Sequence, residues 1–224
     1  MKALLYKEFR LAVHPLCYFF ICFFPLLILA PNYPMGISFL YIVVSYPILF
    51  LGANKGQQSN DLYFTTLLPV RKRDIVKART LTVTILTLMF IAISLILLPF
   101  ATNVLDAIAE EGAEGIPGLT IHEFGVVIGL SLLGLGVTNL IFFPLYYRNG
   151  KSIVLSTLIS TLFFAIYIMF VTIALPFIIP GVIGFLAKSV LSQIITALVG
   201  FAIFCGLNYL TYRVSAKLLE KVDF

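Results

Sequence analysis

The chain has 224 residues, of which 61% are hydrophobic and 11% charged, and its formal net charge is +5. A soluble domain is usually about half apolar and a quarter charged, so one globular core could not hide all of these apolar side chains. The composition therefore excludes an ordinary soluble domain and predicts a single membrane domain over residues 1–224.

The segment 1–15 precedes the first long apolar stretch. Leu4, Leu5, Phe9 and Ala12 recur at helical spacing, with basic residues elsewhere on the wheel. This pattern is typical of a helix that lies in the membrane plane. A cytoplasmic extension of the first span is the alternative. Because more apolar segments follow, we interpret the first stretch as a retained span rather than a cleaved signal peptide.

Six apolar segments approach the length of about 20 residues that a transmembrane helix needs. They cover approximately residues 16–32, 35–53, 80–101, 124–147, 153–176 and 189–212. Their hydrophobicity is continuous, whereas the strands of a membrane β-barrel alternate between apolar and polar residues. The sequence therefore predicts an all-α, polytopic membrane protein with six transmembrane helices.

The loop between the second and third spans, residues 54–79, is the informative polar segment. Ser59 or Asn60 can cap a helix and Pro69 ends it, which predicts a short helix over residues 61–68. Its apolar and aromatic residues are Leu62, Tyr63, Phe64, Leu67 and Leu68. A helix this apolar on the cytoplasmic side is predicted to enter a groove of another protein. Packing into the inner leaflet or against the chain's own bundle is the alternative.

Basic residues follow that short helix and lead into the third span. They are Arg71, Lys72, Arg73, Lys77 and Arg79. Basic side chains directly before a membrane span anchor the end of its helix to phosphate headgroups. We therefore predict an interfacial anchor here and no binding of nucleic acid.

The distribution of charge orients the predicted bundle. Every Lys and Arg except Lys188 lies before the first span, between the second and third, between the fourth and fifth, or after the sixth. Segment 102–123, between the third and fourth spans, carries acidic residues and no Lys or Arg. By the positive-inside rule, both termini are cytoplasmic, 102–123 is an acidic extracellular loop, and the protein is a multi-pass protein of the cell membrane.

Segment 177–188, between the last two spans, is too apolar for an ordinary outer loop and is interrupted by Pro180 and Gly181. We interpret it as a re-entrant segment that dips into the outer leaflet and packs against protein. A long fifth helix kinked at a proline is the alternative.

The predicted spans contain no Asp, Glu, Lys, Arg or His in their interiors. Ion-coupled carriers and charge-lined channels use such groups within the membrane, so their lack weakens both interpretations. The polar residues of the spans are predicted to bond between helices or to their own backbone. They are Thr82, Thr84, Thr87, Ser131, Thr138, Asn139, Ser156, Thr157, Ser160, Thr161, Gln193, Thr196 and Asn208.

No catalytic or metal site is predicted. His14 and His122 fall on opposite sides of the predicted membrane, so they cannot share a metal ion. Gly150-Lys151-Ser152 resembles the end of a phosphate-binding loop but lacks the glycine that the motif requires five positions earlier. We therefore expect no enzyme activity in this chain, and any hydrolysis of ATP belongs to a partner.

The loop and the N-terminus resemble the permease subunits of type-2 ABC exporters, in particular the small permeases typified by the phenol-soluble-modulin exporters of Gram-positive bacteria. The resemblance rests on residues 5–10, 31–34, Asn60-Asp61 and the run 67–79. In the second half of the chain, size and span order agree with the family but no motif matches.

This resemblance implies a dimer of permease subunits, homomeric or heteromeric, each bound to an ABC ATPase subunit that holds ATP and Mg²⁺. Residues 1–15 would form the interfacial elbow helix. The ATPase-coupling residues would be Asn60, Asp61, Leu62, Tyr63, Phe64, Leu67, Leu68 and Pro69. The cargo would be amphipathic, cytolytic or antimicrobial peptides. An ATP-independent carrier and a peptide-immunity membrane protein are the alternatives.

Aromatic residues crowd the first, second and fifth predicted spans. Four of them are candidates to line a path for an apolar peptide: Phe39, Tyr46, Phe163 and Tyr167. The alternative is that these side chains face lipid or pack between helices.

Overall fold

The computed structural model describes residues 2–26, 34–51, 70–110, 124–149 and 153–221. Every regular element in these ranges is helical, which confirms the all-α prediction. In chain order the elements are α1 (Lys2–Lys7), a π-helical turn (Glu8–Ala12), α2 (Pro15–Leu26), α3 (Pro34–Leu51), α4 (Lys72–Glu110), α5 (Phe124–Asn149), α6 (Ile153–Met169), a second π-helical turn (Phe170–Ala174), α7 (Leu175–Ile178), α8 (Val182–Ala187) and α9 (Val190–Glu220).

Four helical units of the described chain are long and apolar enough to cross a membrane: α4, α5, α6 with its continuation, and α9. The pair α1 and α2, which meet at 77°, would add a fifth if it is counted as one broken span. The apolar helix α3 has 18 residues and adjoins the segment 52–69, which lies outside the described residues. A multi-pass helical bundle is thus confirmed, and the count of six spans stays a prediction.

Helix α5 lies at the centre of the bundle, packed most extensively against α9 and also against α6. The contact with α9 is backbone on backbone. A Cβ atom added at Gly200 of α9 would meet the Gly129 carbonyl oxygen and lie 2.6 Å from the Gly129 Cα atom. Small residues of this kind allow membrane helices to approach closely, where apolar side chains gain nothing over lipid.

The end of the fifth predicted span contains a widened turn. The Leu175 N–H donates to the Phe170 carbonyl in the π-helical turn just before Pro176, and the helix continues to Ile178. Such turns are a common adjustment where proline removes a donor from the helical ladder. Gly181, with a φ of +82°, then turns the chain into α8.

Helix α8 packs through Ile183 and Leu186 against the first turn of α5 around Val126 and Val127. The segment 177–188 is therefore a helix end, a turn and a second short helix. The re-entrant segment and the kinked fifth helix both stay predictions. The depth of residues 177–188 in the outer leaflet stays a prediction too.

Exposed apolar side chains cover long stretches of α6 and α9. On α6 they include Leu158, Leu162, Phe163 and Ile166, and on α9 they include Ile194, Leu198, Phe201 and Leu210. These faces are available to lipid tails or to a second subunit.

Candidate coupling site at the basic end of the bundle

The start of α4, the end of α5 and the end of α9 meet at one end of the bundle, where Arg71, Arg148 and Lys217 also lie. We call this the basic end; it is cytoplasmic by the orientation that the sequence predicts.

The N-terminal segment places an acidic side chain inside this end. The π-helical turn is closed by a bond of 2.9 Å from the Val13 N–H to the Glu8 carbonyl, and it precedes the 77° bend into α2. Glu8 lies four residues after Leu4 and therefore on the same face of the helix. Both side chains are buried.

Arg79 of α4 is the partner of this carboxylate. Its Nε atom donates to Glu8 Oε2 at 3.1 Å, and the two side chains are only 8% and 3% exposed. Its Nη1 atom donates to the Tyr146 hydroxyl of α5 at 3.1 Å, and Cζ lies 6.0 Å from the centre of the Tyr146 ring. We call Glu8, Arg79 and Tyr146 the buried cluster.

The buried cluster joins the N-terminal segment, α4 and α5 through an ion pair and a hydrogen bond that are costly to break. Removing either charged partner of a buried pair leaves the other charge without compensation, at a cost of about 3–5 kcal/mol. The cluster therefore holds the N-terminal segment and α5 to the first part of α4. Arg79 lies seven residues after Lys72, the first residue of α4, which corresponds to about 10 Å along a helix.

A second ion pair lies further out at the same end. Arg73 of α4 donates through Nε and Nη2 to the carboxylate of Glu220 on α9, and the Nη2–Oε2 distance is 3.2 Å. The pair lies outside the apolar segments, and these hydrogen bonds lower the pKa of Glu220 below its ordinary value. Both side chains are exposed, so the pair is expected to contribute little to stability.

The predicted anchor residues divide into two groups. Arg71, Arg73 and Lys77 are exposed and Lys72 is half-buried, whereas Arg79 is buried against Glu8. Their contact with headgroups stays a prediction. The predicted ATPase-coupling residues lie outside the described residues. They are Asn60, Asp61, Leu62, Tyr63, Phe64, Leu67, Leu68 and Pro69.

The four candidate path residues lie in different surroundings. Phe39 stacks on Phe164 with ring centres 6.4 Å apart, and the Tyr167 hydroxyl donates to the Leu130 carbonyl at 2.8 Å. Phe163 is exposed on α6, and Tyr46 is fully buried. A shared path through these four residues stays a prediction.

Tyr46 instead belongs to a polar ladder inside the bundle. Its hydroxyl donates to the Asn139 amide oxygen, and the Asn139 Nδ2 atom donates to Asn208 Oδ1 at 2.9 Å. The three residues come from α3, α5 and α9, and all are buried. The prediction of bonds between spans is confirmed for the two asparagines.

Most hydroxyls of the spans bond to the backbone of their own helix, as predicted. The donors that bond to a carbonyl three or four residues earlier include Thr82, Thr84, Thr87, Thr138, Ser160, Thr161 and Thr196. These hydroxyl groups have a hydrogen-bond acceptor within their own helix, so they need no hydrogen bond to another helix.

The sequence reasoning missed Glu8 and Tyr146 as members of the site. For Glu8 a signal was present, because an acidic residue on the apolar face of an amphipathic helix requires a buried cation. For Tyr146 no comparable signal exists, since tyrosine is common at the ends of membrane helices. Among the described residues, no three His, Cys, Asp or Glu side chains are grouped as a metal site would require.

The sequence matches the family described as ABC-2 family transporter protein over residues 3–220, nearly the whole chain. No curated protein and no solved structure matches it significantly. Permeases of this family are typically the non-catalytic membrane components of their transporters, and membership implies an ABC ATPase partner. The chain belongs to the ABC-2 transporter family and is a multi-pass, transmembrane subunit of an ABC transporter.

Proposed function

We propose that this chain is the permease subunit of an ATP-driven exporter of amphipathic peptides. Two permease subunits, alike or different, would pair in the cell membrane, and each would dock one ATPase subunit. Residues 61–68 would be the coupling helix that enters the ATPase, and residues 1–15 the elbow helix at the membrane surface. ATP and Mg²⁺ would bind in the partner, and this chain would hold no cofactor.

The buried cluster is the observation that carries the proposal. Helix α4 begins at Lys72, three residues after Pro69 at the end of the predicted coupling helix, and Arg79 ties α4 to Glu8 and to Tyr146. Packed interiors transmit displacement because they are close-packed and poorly compressible. A push on the loop would therefore move α4, α5 and the N-terminal segment together.

The proposed cargo follows from the chemistry of the spans. With no Asp, Glu, Lys, Arg or His in the predicted span interiors, a charged cargo would lose its hydration without compensation. An amphipathic peptide can keep its polar face toward water or toward the polar ladder, and its apolar face against aromatic and aliphatic side chains. The cavity between α3, α4 and α5 has about 20 Å³, room for about one water molecule, so a peptide path would require the helices to separate.

The first test is the energy source of transport. The permease and its partner ATPase are reconstituted in liposomes with a fluorescent amphipathic helical peptide. We expect peptide movement with ATP and Mg²⁺, none with a non-hydrolysable ATP analogue, and undiminished movement when ionophores remove the ion gradients.

A partner ATPase with its catalytic carboxylate neutralised serves as the matched control, because it still docks and binds ATP. Movement that persists with this control and stops with ionophores would identify an ATP-independent carrier instead. Peptide binding without movement, together with protection of cells, would identify an immunity protein.

A further inference from the structure

A second feature of the basic end, apart from the buried cluster, is an open cavity of about 370 Å³. It is lined by Arg73 of α4 and by Tyr209, Tyr212, Arg213, Ala216 and Lys217 of α9. The residues 209, 213, 216 and 217 share one face of α9 because they follow helical spacing. The small, buried Ala216 leaves the space, and the longer side chains form the walls.

Among the residues that the structure describes, acidic side chains balance only part of the charge in this cavity. Arg73 is paired with Glu220. Among the described residues, neither Arg213 nor Lys217 has an acidic partner, and both are exposed. The Arg213 guanidinium lies 5.0 Å from the centre of the Tyr209 ring, which orients it without neutralising it. The cavity therefore presents two cations, Arg213 and Lys217, that no described acidic residue compensates.

The surroundings of the cavity are those of a membrane surface. Tyr209 and Tyr212 have ring centres 6.4 Å apart, and tyrosines of this kind concentrate at headgroup level. Leu210 and Val214, one residue after Tyr209 and Arg213, are exposed and apolar. A guest held by its anionic group in the cavity would thus have an apolar helix face beside it.

We propose that this cavity binds the phosphate group of an anionic phospholipid, with the acyl chains lying along the exposed face of α9. Arg213 and Lys217 provide the charge, the tyrosine hydroxyls provide further donors, and Arg73 closes the α4 side. Basic pockets between membrane helices recognise lipid headgroups by this chemistry. A soluble phosphate ion offers the same anion without acyl chains, so the test must separate the two sources. The proposal does not depend on ATP-driven export.

The chain contains no tryptophan, so a single Leu210→Trp reporter gives a signal free of background. The full chain is placed in unilamellar vesicles of phosphatidylcholine that contain a fixed fraction of either brominated phosphatidylglycerol or brominated phosphatidylcholine. Bromine quenches tryptophan only at short range. We expect stronger quenching by the anionic lipid at equal fraction, and no relief when inorganic phosphate replaces chloride at constant ionic strength.

The variant R213Q/K217Q in the reporter background removes the two uncompensated cations. Each basic residue that faces the anionic group accounts for about a fivefold change in affinity, so losing both is expected to lower the preference for phosphatidylglycerol about 25-fold. The matched control R148Q/K221Q removes two exposed basic residues of the same end that neither line the cavity nor belong to the predicted anchor, and it should keep most of the preference.

Three results would overturn the proposal. The first is equal quenching by the two brominated lipids in the reporter protein with all its charges intact, a comparison that needs no charge variant to fold. The second is an equal loss of preference in R213Q/K217Q and R148Q/K221Q. The third is displacement of the lipid by inorganic phosphate, which would assign the cavity to a soluble anion.

Discussion

Replacing Arg79 with Met is expected to lower the free energy of unfolding by about 3–5 kcal/mol, because the buried Glu8 carboxylate loses its counter-charge. Methionine is an unbranched, uncharged side chain that fills part of the same space and has no N–H group to donate to the Tyr146 hydroxyl. The loss is measured by titrating the purified protein from native into denaturing mixed micelles and following helix content. If the proposed function holds, peptide movement per ATP hydrolysed should also fall in the same variant.

The double variant Glu8→Gln/Arg79→Met tests the cause of that loss. Neutralising both partners removes the buried charge as well as the bond, so most of the lost stability should return. Lys77→Met is the surface control, since Lys77 is exposed two residues before Arg79, and it should change stability by no more than about 0.5 kcal/mol. A double variant as unstable as Arg79→Met alone would argue against a compensated ion pair.

Replacing Gly200 with Ala is expected to destabilise the bundle by about 1–3 kcal/mol, because the added methyl group overlaps backbone atoms rather than a flexible side chain. The Cβ atom would lie 2.6 Å from Gly129 Cα and 2.8 Å from the Gly129 carbonyl carbon. Neither atom can move without separating α5 from α9. The same micelle titration measures the effect.

Gly206 provides a matched control on the same helix. It is exposed, and a Cβ atom added there meets nothing within 4 Å. Gly206→Ala should therefore be neutral or slightly stabilising, since alanine is the better helix former. Equal destabilisation by the two substitutions would show that glycine itself, rather than the close contact, matters in α9.

The sequence predicts which segments form membrane helices better than it predicts where those helices end. Continuous apolar runs locate α5, α6 and α9. In lipid, the helix is the only structure in which a single segment can hydrogen-bond all of its own backbone N–H and C=O groups. The same rule does not say where a helix ends in water. Helix α4 begins at Lys72, eight residues before the apolar segment that predicts it, because polar helix extensions cost nothing outside the membrane.

Tertiary packing explains what the sequence reasoning did not find. Arg79 belongs to a basic run whose composition predicts a headgroup anchor. Its side chain is buried because it bonds Glu8 of the N-terminal segment, and the sequence alone does not show this contact. Likewise, Asn139 and Asn208 are evident as polar residues in apolar spans, but their mutual bond depends on the Gly129–Gly200 approach that sets the register of α5 and α9. Contacts between distant segments leave no periodic signal along the chain.

We propose that work from an ATPase enters this chain through residues 61–68. Docking of the purified partner ATPase is therefore measured for Phe64→Asp, for Leu67→Asp and for the control Thr65→Asp, which places the same charge at a polar position of that predicted helix. We predict that the first two variants lose the ATPase while the control retains it. Undiminished docking by Phe64→Asp and Leu67→Asp would contradict the account.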